Sequence, residues 1–241
     1  AVKYLEKKNK KLFIISNSSK RKLSSEDRLS ELGFSKSSFI NVITSGEMIW
    51  ETIYKKYFHL SNKKKCFHIY DTTKKDGLSF REGLNLTFTE KIEESELILA
   101  CTPFYNMKPI DYFPFLDKAI NNKLIMYCAN PDFETINRQN DNFNFCMGTI
   151  AEIYKKMGGA VVIKGKPDIS IYKQTLKSIE LDKIRTIAIG DSLFHDIKGA
   201  NNFSIDSILI KSGVHKDSSS INKLIKNHQI KPNFLLDNFS I

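Results

Sequence analysis

The stretch IAIGDSLFHDIKGA, residues 187–200, decides how this chain is read. An apolar run ends in Gly190-Asp191, and a second acid, Asp196, follows five residues later. In an open parallel sheet, ligands bind at the carboxyl ends of the strands. A carboxylate at Asp191 would stand at such an end. Mg2+ is held by one or two carboxylates together with waters and substrate phosphate oxygens, so Asp191 is a candidate metal ligand. Asp196, at the start of the next helix, suits a metal-bound water or a neighbouring lysine. Both acids also suit plain structural duty, Asp191 as a helix N-cap and Asp196 as a first-turn acid favoured by the helix dipole. This segment alone leaves both open.

Outward from it, short apolar runs alternate with helical patterns. LFIIS (12–16), KCFHIY (65–70), ELILAC (96–101), KLIMYC (123–128), AVVIKG (160–165), IRTIAIG (184–190) and DSILIK (206–211) are too short for helices and rich in β-branched residues. Between them, Ser24 to Leu32 ends before Gly33, and Thr44 with Glu47 has capping-box spacing ahead of Met48, Trp50, Ile53 and Tyr54. Ile150, Ile153, Tyr154 and Met157 repeat at helical spacing up to Gly158-Gly159, and 168–179 reads as a further helix. Strands alternating with helices predict a parallel α/β fold. Residues 62–142 carry more turn signals yet keep three strand-like runs, as a domain inserted into a larger core would.

Composition narrows the function classes. Hydrophobic residues at 41% and charged residues at 27% fit a globular chain and not a disordered one. No apolar run approaches membrane-spanning length, and the lysines of AVKYLEKKNKK do not suit a signal peptide. Cys66, Cys101, Cys128 and Cys146 form no CxxC pair, so reduced, buried thiols in a cytoplasmic protein are expected, not disulfides or zinc. The net charge of +10 is spread along the chain, and Lys63-Lys64-Lys65 has no interleaved aromatics. A solvated basic surface is the reading, with no nucleic-acid and no membrane partner. Without GxGxxG or GxxxxGK[ST], a Rossmann-type nucleotide binder is disfavoured.

Two further segments bear on Asp191. IISNSS (14–19) ends a strand in small polar residues, where Ser16, Asn17, Ser18 and the backbone amides after Ser16 suit phosphate oxygens, although an ordinary polar turn looks the same. IKGKPDISIY (163–172) sets Lys166 between a strand and a helix, where it would neutralise a carboxylate and a transferring phosphoryl group, or simply be solvated. SILIKSGVH (207–215) adds another strand entering a glycine turn.

In this order the segments resemble the haloacid dehalogenase (HAD) superfamily, subclass IIA. The resemblance makes Ser16 the phosphate-binding residue of the second motif, Lys166 in GKP the lysine of the third, and Asp191 and Asp196 the acids of the fourth. It implies a Rossmannoid parallel-sheet core with an inserted α/β cap of the C2 type. The chain divides accordingly into 1–61 as core, 62–142 as cap and 143–241 as core. Asn130-Pro131-Asp132 resembles the cap segment that faces the active site, which assigns Asn130 and Asp132 to substrate binding alongside Ser16, Asn17, Ser18 and Lys166. Ser16, Lys166 and Asp196 are the catalytic assignments, Asp191 the metal assignment, and Mg2+ the cofactor. The implied activity is hydrolysis of a small phosphorylated metabolite through a phosphoaspartyl intermediate.

The family's opening strand, with its nucleophile-bearing Asp-x-Asp, has no match: no Asp-x-Asp occurs in the 241 residues, and Asp71 and Asp76 lie within the expected cap. The chain is therefore expected to be inactive alone, or to be a non-catalytic remnant or split-gene subunit that binds a phosphorylated ligand or a complementing chain carrying the strand. Ser16, Lys166, Asp191 and Asp196 are expected at the carboxyl edge of one sheet. The strands at 12–16 and 185–190 are expected to face an empty slot in it.

Overall fold

The structure, a computed structural model, describes residues 1–73, 76–134, 145–177, 182–215 and 221–240. In chain order the strands are β1 (Phe13–Ser16), β2 (Asn41–Thr44), β3 (Lys64–Ile69), β4 (Leu86–Thr89), β5 (Leu97–Ala100), β6 (Ile125–Cys128), β7 (Ala160–Ile163), β8 (Ile187–Gly190), β9 (Asp206–Ile210) and β10 (Phe234–Leu236). The helices are α1 (Val2–Lys7), α2 (Lys22–Glu31), α3 (Ser45–Tyr57), α4 (Asp76–Ser79), α5 (Phe113–Asn121), α6 (Met147–Lys156), α7 (Ile169–Lys177), α8 (Lys198–Phe203) and α9 (Ile221–His228). Every strand expected from an apolar run is present. β2, β4 and β10 are additional, each of only three or four residues.

The chain forms two compact units. One comprises Ala1–Ile15, Phe34–Asn41 and Lys166–Ile241, and the other Ser16–Gly33 and Val42–Gly165. The second unit is built on a five-stranded parallel sheet of order β4-β3-β5-β6-β7. Successive residues of a strand point to opposite faces, and β5 shows the consequence. Ile98 and Ala100 join one buried cluster with Tyr112, Leu116, Met147, Ile150 and Tyr154, while Leu97 and Leu99 join another with Ile49, Ile53, Tyr57 and Phe80. Both faces are covered by helices, α5 and α6 on one and α3 on the other, as parallel sheets require.

Helix α3 begins as its sequence predicts: Thr44 Oγ1 accepts the Glu47 amide at 3.0 Å. The reciprocal half of the capping box is replaced, because Glu47 turns to Arg21 Nε at 2.7 Å and to the Lys22 amide at 2.8 Å. Together these contacts tie α2 to α3.

The expected cap limits, 62 and 142, differ from this unit, and residue 142 lies outside the described residues. Helix α6 packs in the same cluster as α5, and β7 completes the same sheet, so the sheet runs on to Ile163. Lys166 therefore follows a strand of this sheet, not of the one that carries Asp191.

The first unit contains a three-stranded parallel sheet of order β10-β9-β8. β1 pairs with β2 in a separate two-stranded sheet. The expectation of a single sheet edge bearing Ser16, Lys166, Asp191 and Asp196 is thus corrected: no described strand joins β1 to β8. β8 ends its sheet, with Ile187 42% and Ile189 38% exposed. No described helix is long and apolar enough to cross a membrane.

Candidate phosphate and cation site

In the first unit, parallel pairing of Gly190 with Leu209 brings the segments leaving β8 and β9 to the same sheet edge. The first of these carries Asp191 and then a π-helical turn, Leu193–Ile197, which leads directly into α8. Lys166 Nζ donates to Asp196 Oδ1 at 2.7 Å, with the two side chains only 15% and 12% exposed. Asp196 Oδ2 accepts the Ser192 amide at 3.0 Å, and the Tyr172 hydroxyl donates to the Asp196 carbonyl at 3.2 Å. Burial pushes the Tyr172 phenol well above its ordinary range, with the charge of Asp196 adding to the effect. Gly190 is required by this packing, since a Cβ there would lie 2.2 Å from Asp196 Cγ. Of the roles sequence left for Asp196, both the contact with a lysine and the place in a helical first turn are observed.

Asp191 Oδ2 accepts the Val214 amide at 3.1 Å. No hydrogen bond reaches its Oδ1 among the described residues. His215 Nε2 accepts the Leu193 amide at 3.0 Å, and partial burial lowers the basicity of His215, with Asp191 acting in the opposite sense. No group of three or more His, Cys, Asp or Glu side chains able to hold a metal occurs among the described residues. A lone carboxylate oxygen does not make a zinc cage. It does fit Mg2+, which keeps waters and takes its remaining ligands from phosphate.

In the second unit, Asn17 Nδ2 donates to Asp132 Oδ1 at 2.7 Å, joining two assigned residues 115 positions apart. Asn130 Oδ1 accepts the Asp132 amide at 2.9 Å, and the Cys128 thiol donates to the Asn130 carbonyl at 3.1 Å. This group follows β6. Gly165, at φ +124°, follows β7 at the same sheet edge, and a Cβ there would lie 2.7 Å from Asn17 Oδ1. Ser16 Oγ accepts the Ser18 amide and Ser18 Oγ the Lys20 amide, both at 3.2 Å. Two of the amides expected to hold phosphate are therefore turned onto hydroxyls.

The assigned residues fall into two groups, one in each unit: Lys166, Asp191 and Asp196 in the first, and Ser16, Asn17, Ser18, Asn130 and Asp132 in the second. Sequence reading missed Tyr172, Ser192, Gly213 and His215. Tyr172 and His215 stood inside segments already singled out, but nothing local marks a tyrosine or histidine that bonds to another loop's backbone.

Residues 163–240 match the HAD-hydrolase-like family model. No curated protein sequence matches the chain. Among solved structures, the chain is similar to a haloacid dehalogenase-like hydrolase from Brucella suis 1330, at 26% identity and a TM-score of 0.81, covering 98% of this chain and 86% of that one. It is also similar to a possible sugar phosphatase of the HAD superfamily from Cytophaga hutchinsonii, at 18% identity and a TM-score of 0.76, covering 100% and 86%. A third similarity is to a p-nitrophenyl phosphatase from Archaeoglobus fulgidus, at 20% identity and a TM-score of 0.71, covering 98% and 87%. The chain thus shares the fold of haloacid dehalogenase-like hydrolases, and residues 163–240 match the sequence model of that family.

Proposed function

We propose that the chain is the body of a cytoplasmic, Mg2+-dependent class IIA phosphatase of small phosphorylated metabolites, with little turnover from these 241 residues alone. The observation carrying this reading is the 2.7 Å bond from Lys166 to Asp196, which stands in the turn that follows Asp191. Asp196 orients the ammonium, and Lys166 offsets the charge of a phosphoryl group. Asp191 offers a carboxylate oxygen to Mg2+. Bound Mg2+ would supply Lewis-acid neutralisation of phosphate and carboxylate charge. Within the second unit, Ser16, Asn17 and Ser18 would offer hydroxyl and amide groups to phosphate, and Asn130 and Asp132 would offer polar groups to substrate from a cap at about 62–142 widened to include β7.

The attacking group is the part these residues lack. Covalent phosphoryl transfer in this family needs a positioned aspartate, and no Asp-x-Asp is present. Asp196 is held by Lys166 and Ser192, and Asp191 by Val214. Losing a covalent nucleophile typically removes about three or more orders of magnitude in rate. The test is Mg2+-dependent hydrolysis of p-nitrophenyl phosphate, with calorimetric titration of Mg2+. We expect Mg2+ binding that Asp191→Asn abolishes, and turnover far below the roughly 1 s−1 floor of ordinary enzymes. Ordinary turnover lost in Asp191→Asn would mean that another residue attacks; no Mg2+ binding would overturn the metal assignment.

A second reading, a non-catalytic subunit completed by another chain, is favoured by one observation. β8 ends its sheet with two isoleucines more than a third exposed. An unpaired apolar strand edge is a template for strand addition.

A further inference from the structure

The turn after β9 makes a reciprocal clamp with the turn after β8. Two hydrogen bonds cross between them in opposite senses. The Val214 amide donates to the Asp191 carboxylate at 3.1 Å, and the Leu193 amide donates to His215 Nε2 at 3.0 Å. The approach is close: a Cβ on Gly213 would lie 2.1 Å from Asp191 Oδ2. The clamp is anchored on its far side as well. The Lys211 amide donates to the Leu236 carbonyl at 2.9 Å, and the Ser212 amide to the Asp237 carbonyl at 3.0 Å. On the near side Leu193 is fully buried, and the Phe194 ring meets the His215 ring edge-on at 6.2 Å.

A backbone N–H can only donate, so Nε2 of His215 must be its unprotonated nitrogen. We propose that His215 is a positioning residue: by accepting the Leu193 amide it locks the 191–193 turn against 213–215 and so presents Asp191 to a divalent cation. This rests on the proposed role of Asp191 as the Mg2+ ligand. The histidine supplies the side-chain acceptor of the clamp. Its neighbours Gly213 and Val214 act through backbone alone, whereas position 215 must supply a side-chain acceptor. A glutamine can reach similarly with Oε1; an alanine cannot.

The experiment uses the full chain, as wild type, His215→Ala and His215→Gln. Mg2+ affinity is read by calorimetry, and exchange of the Leu193 amide by NMR. Residues that orient a metal ligand typically contribute about tenfold or more in metal affinity. We expect His215→Ala to weaken Mg2+ binding roughly tenfold and to speed exchange at Leu193. His215→Gln should restore both to within about twofold, a rescue that a merely space-filling histidine would not show. In the wild type, imidazole 15N shifts should report Nε2 as the bare nitrogen. Unchanged Mg2+ affinity in His215→Ala, or a protonated Nε2 in the wild type, overturns the proposal. Wild-type chain that binds no Mg2+ would count against Asp191 as the ligand, and the Leu193 exchange and the tautomer would still decide the clamp.

Discussion

His68 shows how far burial can carry one residue from its ordinary chemistry. It is 5% exposed in β3, with Arg81 Nε donating to its Nδ1 at 3.1 Å and Cys101 Sγ 3.3 Å from its Nε2. Because arginine only donates, Nδ1 is the acceptor and the ring is the neutral Nε2–H tautomer. Desolvation first, and Arg81 second, push its pKa from 6.5 down to about 3. The sign follows by linkage. Below about pH 6.5 the unfolded chain binds a proton at this site that the folded chain refuses, so stability falls with pH down to about 3. The slope from this one group approaches ~1.4 kcal/mol per pH unit. Denaturant melts of wild type and His68→Gln at pH 7, 5 and 4 should diverge in slope by about one proton; parallel slopes would refute the assignment. The thiols obey the same rule in the other direction: burial pushes Cys66 and Cys128 up to about 12, which leaves them inert as nucleophiles. At this scale the sequence had marked Lys166, Asp191 and Asp196 behind apolar runs, and the family resemblance had added Asn130 and Asp132. It had not marked His68 or His215, whose chemistry depends on which backbone or side chain lies opposite.

The same residue type has different weight in different elements. Ile98 in β5 is fully buried, between two strands and under helices. Ile187 in β8 is 42% exposed at a sheet end. Ile98→Ala should therefore destabilise the chain by about 2–5 kcal/mol, through lost transfer energy and the cavity left behind. Ile187→Ala should cost less than about 1 kcal/mol, as partly exposed positions generally do. Equal losses in denaturant midpoint for the two variants would contradict the burial described here. Elements with strong local signals were legible: β3, β5, β6 and β7 from continuous apolar runs, and α3 from the Thr44 cap. β2, β4 and β10 were not. Each is too short for a period-two pattern to emerge, and each takes its strand geometry from pairing with a neighbour, as β10 does from β9 through Phe234 opposite Ile208.

At the scale of the whole molecule, the two units differ in how completely their sheets are finished. The five-stranded sheet is sheathed on both faces, whereas the three-stranded sheet stops at β8. If a further strand completes that edge, a synthetic peptide with an apolar strand ending in Asp-x-Asp should raise the melting temperature. It should also lift p-nitrophenyl phosphate turnover, while a scrambled peptide does neither. A chain that melts cooperatively and ignores the peptide would sink the strand-addition reading. What the sequence by itself determined was the α/β class, the parallel strands and the order of the polar residues that follow them. Those depend on local apolar patterning and on turn chemistry, which act over a few residues. Tertiary structure alone decided that β7 closes the five-stranded sheet and that β1 and β8 fall into different sheets. It also decided that Asn17 meets Asp132 and that His215 meets Leu193. The physical reason is that these depend on pairings between segments far apart in the chain. Such pairings are selected by the burial of whole faces and by the satisfaction of backbone groups, quantities that no short window of sequence contains.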